Sequence, residues 1–552
     1  MQTHLTFNGS ENLKAFNLWD ISNLEKSQIY TRPEVVHFML DCIGLKQSLH
    51  LDNIRFLEPS CGEGEFIIPL VERLISSSQS RPTVEQLLNK LLAIDVSDKS
   101  IAVSKSKVRS LLNKSGFRNK EVNQLLDNWF LTTDFLLSNI EGRFTHIVGN
   151  PPYIRVEKIP KSLLKQYRNQ FSTMTDRADL YIPFFEKALS LLTKSGKLSF
   201  ICTDRWTKNT YGRYLRQLIS NKYSLDLFID LYGTEAFTSD VLTYPAITQI
   251  SNRESRETVF LRGSSFSDKE SDDILDVLNG KASQIVPIPN FTNDKKPWLI
   301  ESSGRRSLIK AIENNFSTLE ESGCTVFIGA ATGANKIYLV DNKTVDIETS
   351  RLLPSIAARD LRSGSLKWSG KYIINTYDCD GVVNLNHYPK LANYLEHHKE
   401  QLSRRHIAKK NPSHWFKTID RVYEERSKME KLLIPDISDR LIVLYDKGDY
   451  HPTNSIYYIC SNQWNLYALR TVLLSEFTRL FIEAYSTKIA KGYLRFQAQH
   501  LRKLRLPSWD TIDTQLQRSL IEAGQSNDTN KHTNLTSKMY GLNKDCISLL
   551  GN

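Results

Sequence analysis

Cysteine is sparse and scattered in this chain: seven in 552 residues, at positions 42, 61, 202, 324, 379, 460 and 546, with no Cys-x-x-Cys pair. That pattern excludes a zinc ribbon and a disulfide-stapled frame, and it fits reduced thiols in a cytoplasm. Long hydrophobic runs are missing as well. None approaches the roughly 20 residues that a membrane-crossing helix needs. The opening Met1-Gln2-Thr3-His4-Leu5-Thr6-Phe7 has no basic stretch followed by an apolar one, so no export signal is expected. No internal repeat and no bound metal are expected either. What is present is ample core material, 40% hydrophobic residues, in a length that implies two or three domains.

Residues 145–153 read Thr-His-Ile-Val-Gly-Asn-Pro-Pro-Tyr, a buried-strand pattern running into Asn150-Pro151-Pro152-Tyr153. The tetrapeptide suits the alkylation of an exocyclic amine such as N6 of adenine, a poor nucleophile because its lone pair is delocalised into the ring. The side-chain carbonyl of Asn150 can accept one amine hydrogen and the backbone carbonyl of Pro151 the other. Drawing both hydrogens out of the ring plane localises the lone pair for attack on a methyl group. Proline has no N–H of its own to compete, and the Tyr153 ring offers a face on which a base can stack. A Pro-Pro turn that merely ends a strand is the plainer reading of four residues alone, so the rest of the chain must supply a methyl-donor site.

Residues 54–58 form a short apolar run ending in Glu58, followed by Pro59-Ser60-Cys61-Gly62-Glu63-Gly64-Glu65-Phe66 and a helical pattern over 67–77. Strand, glycine-bearing turn and helix build a nucleotide-type pocket at the carboxyl end of a sheet. Gly62 and Gly64 let the backbone approach a ligand closely. Glu58 suits an ammonium group rather than a phosphate, which argues against a dinucleotide. A second strand over 91–95 ends in Asp95, placed to accept both hydroxyls of a ribose. A third tip carries Asp134 and Phe135, an acceptor for an adenine amine and a cover for its ring; Asp134 alone would more often be a helix or turn cap.

Four ordered motifs at these spacings resemble those of the S-adenosylmethionine-dependent N6-adenine DNA methyltransferases of restriction-modification type. The match is to the subgroup with the cofactor motif ahead of the catalytic motif and a C-terminal target-recognition domain. The resemblance covers residues 20–250 well and the remainder loosely. It implies a class I methyltransferase fold with S-adenosylmethionine as cofactor. Tyr30-Thr31-Arg32-Pro33 would begin the segment over the methionine end of the donor, Glu58 would bind its amino group, and Asp95 beside Val96 its ribose. Asp134 and Phe135 would hold the adenine, with Pro59, Cys61, Gly62, Gly64 and Asn150 completing the cofactor site. Asn150, Pro151, Pro152 and Tyr153 would be the catalytic motif. Phe237, in the loop 233–237, would be a second aromatic against the flipped base, with Tyr244 as its rival. Thr145 departs from the acid that the family often has there.

Strands and helices keep alternating: a helix from Asp179 to about 192, then strands over 198–202, 225–231 and 246–250. The fold expected for residues 1–255 is therefore α/β, a doubly wound, mainly parallel sheet of seven strands. Residues 256–320, rich in Ser, Asp, Asn and Lys at their start, read as a connecting segment. Residues 321–552 read as a mixed α/β DNA-recognition domain, with two strands about a glycine turn in 326–338. The Asn/Thr/Ser-rich stretch 525–538 reads as a mobile loop before a last short helix.

Charge points independently to nucleic acid. The balance is +4 over residues 1–250 (30 basic, 26 acidic), −3 over 251–350 (12 basic, 15 acidic) and +10 over 351–552 (30 basic, 20 acidic). The excess lies outside the catalytic sheet. There Arg404, Lys409, Lys410 and the run with Lys491, Arg495 and Arg502 interleave with Trp415, Phe416, Tyr423, Tyr485, Tyr493 and Phe496. Such a mixture suits phosphate and base contacts with double-stranded DNA, although any one cluster taken alone reads more readily as a solvated helix face. A separately encoded restriction endonuclease acting on the same sequence is a further expected partner, since no nuclease motif is found in this chain. A glutamine-amide protein methyltransferase faces the same electronic problem, but that reading leaves the basic C-terminal half unexplained. An N4-cytosine methyltransferase more often has Ser before the Pro-Pro. No cysteine follows a proline, which excludes the Pro-Cys nucleophile of the cytosine C5 methyltransferases.

Overall fold

The computed structural model describes residues 29–46, 51–77, 81–238, 245–253, 257–289, 292, 294–341, 343–486 and 493–550. It divides into two compact units, Met1–Ser303 and Gly304–Asn552.

In the first unit nine strands among the described residues make one sheet: β1 (Phe56–Glu58), β2 (Leu91–Asp95), β3 (Phe130–Thr132), β4 (Phe144–Gly149), β5 (Leu192–Thr203), β6 (Ser224–Asp230), β7 (Pro245–Ser251), β8 (Glu257–Arg262) and β9 (Ile288–Pro289). Their order is β3-β2-β1-β4-β5-β7-β6-β8-β9. Strands β1 to β5 run parallel, and β7 is antiparallel to both β5 and β6. Because β1 leads to β2 and β3 on one side while β4 leads to β5 on the other, the sheet has a switch point between β1 and β4. Ligands bind outside the carboxyl ends of strands at such a point.

Side chains alternate across the sheet as the strand period requires. Phe56 enters one core with α1 (Pro33–Cys42), α2 (Ile67–Ile75), α3 (Asp98–Lys114) and α4 (Asn119–Trp129). Its neighbour Leu57 enters the other, with α5 (Lys161–Gln170), α6 (Tyr181–Ser190) and α7 (Arg213–Lys222). The doubly wound arrangement is thus as expected, and two fully covered faces explain why the parallel strands read as continuous apolar runs.

The strand number differs. Beyond the seven expected strands, β8 pairs parallel with β6 and β9 antiparallel with β8. Both come from the stretch read as a connecting segment, whose helix Asp268–Leu278 buries Ile274 in the first core. Polarity hides them in the sequence: in β8 only Thr258 and Val259 are buried, as suits a strand near the sheet's margin. The first unit accordingly runs on to Ser303 rather than stopping near residue 255.

The second unit holds an antiparallel sheet in the order Cys324–Ile328, Ile456–Ser461, Lys431–Pro435, Leu444–Asp446. A second sheet runs Leu339–Asp341, Lys371–Ile374, Leu352–Ile356, His451–Pro452. Of the two strands expected in 326–338 only the first forms; a helical turn, Asn335–Tyr338, stands where the second was expected, and strand Leu339–Asp341 follows it. The turn starts where the Thr332 hydroxyl accepts from the Ala334 N–H, and it buries Ile337 and Tyr338. The stretch 525–538 is no loop but contains the helix Thr529–Met539, capped by Asp528, whose side chain accepts from the Lys531 N–H at 3.1 Å. Among the described residues no helix is long and apolar enough to cross a membrane.

Candidate active site

Three strand tips converge on one cleft. Glu58 closes β1, Asp95 closes β2, and β4 ends at Gly149, immediately before Asn150. The cleft measures about 1050 Å³ including its open mouth and is lined by all three of Glu58, Asp95 and Asn150.

Glu58 is 1% exposed, and its Oε2 has no hydrogen-bond partner among the described residues. Burial first, then the charges of Glu65 and Asp95, holds its carboxyl well above the usual carboxylate range. An ammonium group is the chemical complement of such a group. Asp95 is more fully engaged: its two oxygens accept from the N–H groups of Gly62 and Ser97, each at 2.9 Å. Those bonds tie the glycine turn to the β2 tip, and burial still raises the Asp95 pKa.

The two glycines of the turn have different jobs. Gly62 lines the cleft at φ +51°. Gly64, at φ +97°, does not line it; a Cβ there would lie 2.7 Å from Ser104 Oγ on α3. Its close approach is to a helix, not to a ligand. Cys61 is also turned away, buried in the core beside α2. Pro59 and Val96 do line the cleft, together with Asp134 and Phe135.

Asp134 caps a turn before anything else. Its Oδ1 accepts from the Leu136 N–H at 2.8 Å and its Oδ2 from the Tyr167 hydroxyl. A carboxylate has further lone pairs, so a ligand amine can still be accommodated. Phe135 packs on Phe184 with ring centroids 5.1 Å apart. Lys187 donates to the Leu136 and Ser138 carbonyls and stands 5.1 Å from the Phe135 ring; burial brings its pKa down to about 8.

The Asn150 side chain is held by residues distant in sequence, 121 and 119 positions before it. Its Nδ2 donates to the Ile29 carbonyl at 2.9 Å and to Thr31 Oγ1 at 3.2 Å, while Oδ1 is buried without a partner among the described residues. The backbone carbonyl of Asn150 accepts from the Ser60 hydroxyl at 3.2 Å. A carbonyl can only accept, so Ile29 fixes which way the amide points. Pro151, Pro152 and Tyr153 follow along the cleft wall. The Tyr153 hydroxyl donates to the Ile201 carbonyl at 3.1 Å, and burial raises its pKa well above the ordinary value. Phe237 meets the Tyr153 ring edge-on, centroids 6.3 Å apart at 78°. It is buried behind the cleft wall and does not line the cleft. Tyr244 lies outside the described residues. Thr145, the position that departs from the family acid, bonds both the N–H and the carbonyl of Arg55 and so shapes the entry to β1.

Sequence reasoning passes over Ile29, Ser60, Tyr167, Leu180 and Phe184, all of which line the cleft. Only the Ser60 neighbourhood carries a signal, its place inside the glycine turn.

In the second unit the basic residues divide. Arg502 is bonded to Glu320 at 2.7 Å and to the Val326 carbonyl at 3.0 Å, and Arg495 stands 3.4 Å from Asp436. Arg404 pairs with Glu400 one helical turn away, both exposed. Lys409 and Lys410 are exposed on the short helix His406–Lys410. Lys491 lies outside the described residues. The neighbour Arg405 is structural: it donates to the carbonyls of Thr332, Trp415 and Lys417 at 2.8–3.0 Å.

Residues 72–237 match the family model of the Eco57I restriction-modification methylase, and residues 353–506 match that of the TaqI-like C-terminal specificity domain. The chain is 40% identical over 535 residues to the type II methyltransferase M.XhoI of Xanthomonas vasicola, covering 94% of this chain and 98% of that one. It is 39% identical over 536 residues to the type II methyltransferase M.PaeR7I of Pseudomonas aeruginosa, covering 95% and 93%. In fold it is similar to the type IIL restriction-modification enzyme MmeI, solved in complex with DNA, with a TM-score of 0.61 at 11% identity over 98% of this chain and 78% of that one.

Proposed function

Because the chain belongs to the type II methyltransferases of restriction-modification systems, we propose that it transfers a methyl group from S-adenosylmethionine to N6 of an adenine within a specific double-stranded DNA sequence. The observation that carries this reading is Asn150. Its amide N–H groups are spent on Ile29 and Thr31, which leaves Oδ1 as a buried acceptor next to Pro151.

The cleft residues fit the methyl donor. Glu58 offers a buried carboxylate with an unpartnered oxygen, which an amino-acid ammonium would satisfy with a charge-assisted hydrogen bond. Asp95 suits a ribose, Asp134 with Phe135 an adenine ring, and Thr31, Pro59, Gly62 and Val96 complete the walls. When bound, the donor supplies an electrophilic methyl group on a sulfonium.

The chain's own residues do the rest. Asn150 Oδ1 and the Pro151 carbonyl accept hydrogen bonds from the two amine hydrogens and localise the lone pair; once methylated, the nitrogen gives up one proton to solvent. Tyr153, tethered at its hydroxyl, gives the base a face, with Phe237 edge-on behind it. Positioning and fixed dipoles in a dry site supply the rate. The adenine must leave the duplex to reach them, which costs a few kcal/mol of unstacking that binding to the DNA offsets. That binding falls to the second unit, a role supported by its match to a specificity domain and by the +10 charge balance of residues 351–552. A separately encoded endonuclease cutting the same sequence is the fitting partner, with both acting in the cytoplasm.

A specificity domain is also what the glutamine-amide reading has no use for. The deciding experiment incubates the purified chain with labelled donor and duplex DNA, then digests the DNA to nucleosides. Label in N6-methyl-2′-deoxyadenosine is expected. Label in N4-methylcytosine would move the same chemistry to another base, and label on glutamine amides with none in DNA would overturn the DNA reading.

A further inference from the structure

We propose that Thr31 is a positioning residue that acts through Asn150, holding its amide so that Oδ1 stays the acceptor. The inference rests on the amine-methylation reading of Asn150 given above.

Asn150 is the only member of its motif whose chemistry depends on which way a planar group is turned. Rotated by half a turn, the amide would present N–H groups to the substrate amine, two donors facing each other. Two acceptors oppose that rotation, the Ile29 carbonyl at 2.9 Å and Thr31 Oγ1 at 3.2 Å. One acceptor sets the sense of the amide; the second sets its tilt, because the two N–H directions are then both fixed. Thr31 is 3% exposed, so its hydroxyl is held largely away from bulk solvent.

The segment that carries Thr31 is itself clamped. Thr31 forms a β-bridge with Phe237, the Arg32 N–H donates to the Ala236 carbonyl at 3.1 Å, and the Thr238 N–H donates to the Tyr30 carbonyl at 3.0 Å. The Arg32 side chain adds bonds to the Phe237 carbonyl at 3.1 Å and to Glu235 at 2.6 Å. Pro33 then starts α1 directly. The hydroxyl therefore sits on backbone fixed from both sides, where a β-branched side chain is also stiff at χ1.

A residue that lines the cleft can instead serve by touching the donor, and kinetics separate the two roles. Thr31→Val keeps the shape and removes the acceptor. It is expected to lower kcat about tenfold or more while donor affinity stays within about twofold, since a small misplacement of a reacting group is costly. Thr31→Ser should restore most of the rate. In an Asn150→Ala background the same Thr31→Val change should have little further effect on single-turnover rate, because its route is already cut. A Thr31→Val variant with wild-type kcat, a loss confined to donor affinity, or an additive loss in the Asn150→Ala background would each overturn the proposal. Thr31→Ala serves as a second variant should the valine disturb folding, checked by thermal melt. If Asn150→Ala itself proves fully active, it is the reading of Asn150 that fails, a result distinct from an inert Thr31.

Discussion

Among the described residues Glu58 and Asn150 each keep a buried oxygen without a partner, and a buried unsatisfied polar atom costs about 1–3 kcal/mol. For Glu58 the cost depends on charge. Burial holds its carboxyl well above the usual range, so its folded pKa exceeds its unfolded value of about 4.3. The stability it contributes is therefore full below the unfolded pKa and is lost as pH rises through the folded one. Glu58→Gln removes that titration. Without donor, the variant should melt above the wild type at neutral pH, and its advantage should vanish toward about pH 4. The same change should weaken S-adenosylmethionine binding by about 1–3 kcal/mol in calorimetry. A variant that melts lower at neutral pH and binds donor normally would remove Glu58 from the donor site. At this scale the sequence shows which residues matter better than how they are held. The Asn150 motif and the Glu58 tip are legible, but the partners of the Asn150 amide are more than a hundred residues away, and one is a backbone carbonyl, which no side-chain pattern reveals.

The elements explain the glycine turn. Both Gly62 and Gly64 read as clearance for a ligand, yet only Gly62 borders the cleft, and Gly64 makes room for α3. Gly64→Ala would place a Cβ 2.7 Å from Ser104 Oγ at a φ of +97°. It should cost about 1–3 kcal/mol of stability, seen as a lower melting temperature that added donor only partly offsets. A melt unchanged from wild type would show that the turn relaxes freely. The strands β1 to β7 are legible because two covered faces demand long apolar runs. The helix Thr529–Met539 is not, because most of the side chains it buries are polar: His532, Thr533, Thr536 and Ser537. His532 bonds the Ala523 carbonyl at 3.0 Å through Nε2. Hydrophobic periodicity has little to register there, and the Asp528 cap is the one local cue. Strand β8 escapes notice for the related reason that only two of its residues are buried.

Across the whole molecule, charge balance and charge use are different quantities. The +10 excess of residues 351–552 is visible in the sequence, but spacing along a chain cannot tell a cation facing solvent from one bonded to a neighbouring strand. Arg502 and Arg495 are engaged with Glu320 and Asp436, whereas Lys409 and Lys410 are exposed. Neutralising Lys409 and Lys410 together should weaken DNA binding and flatten its salt dependence, by roughly one unit of slope for each phosphate no longer neutralised. Arg502→Ala should instead lower the melting temperature, by an amount worth about 1 kcal/mol or less for a half-exposed pair, with little change in salt slope. The reverse pattern would mean that the Arg502 pair opens to receive DNA. The chemistry turns on the unpartnered oxygen of Asn150 accepting a hydrogen bond from the target amine. Single-turnover methylation of duplex DNA by Asn150→Ala, with donor and DNA affinities measured on the same preparation, tests it most directly. The rate should fall about a hundredfold or more while both affinities stay close to wild type; a near wild-type rate would contradict the account at its centre.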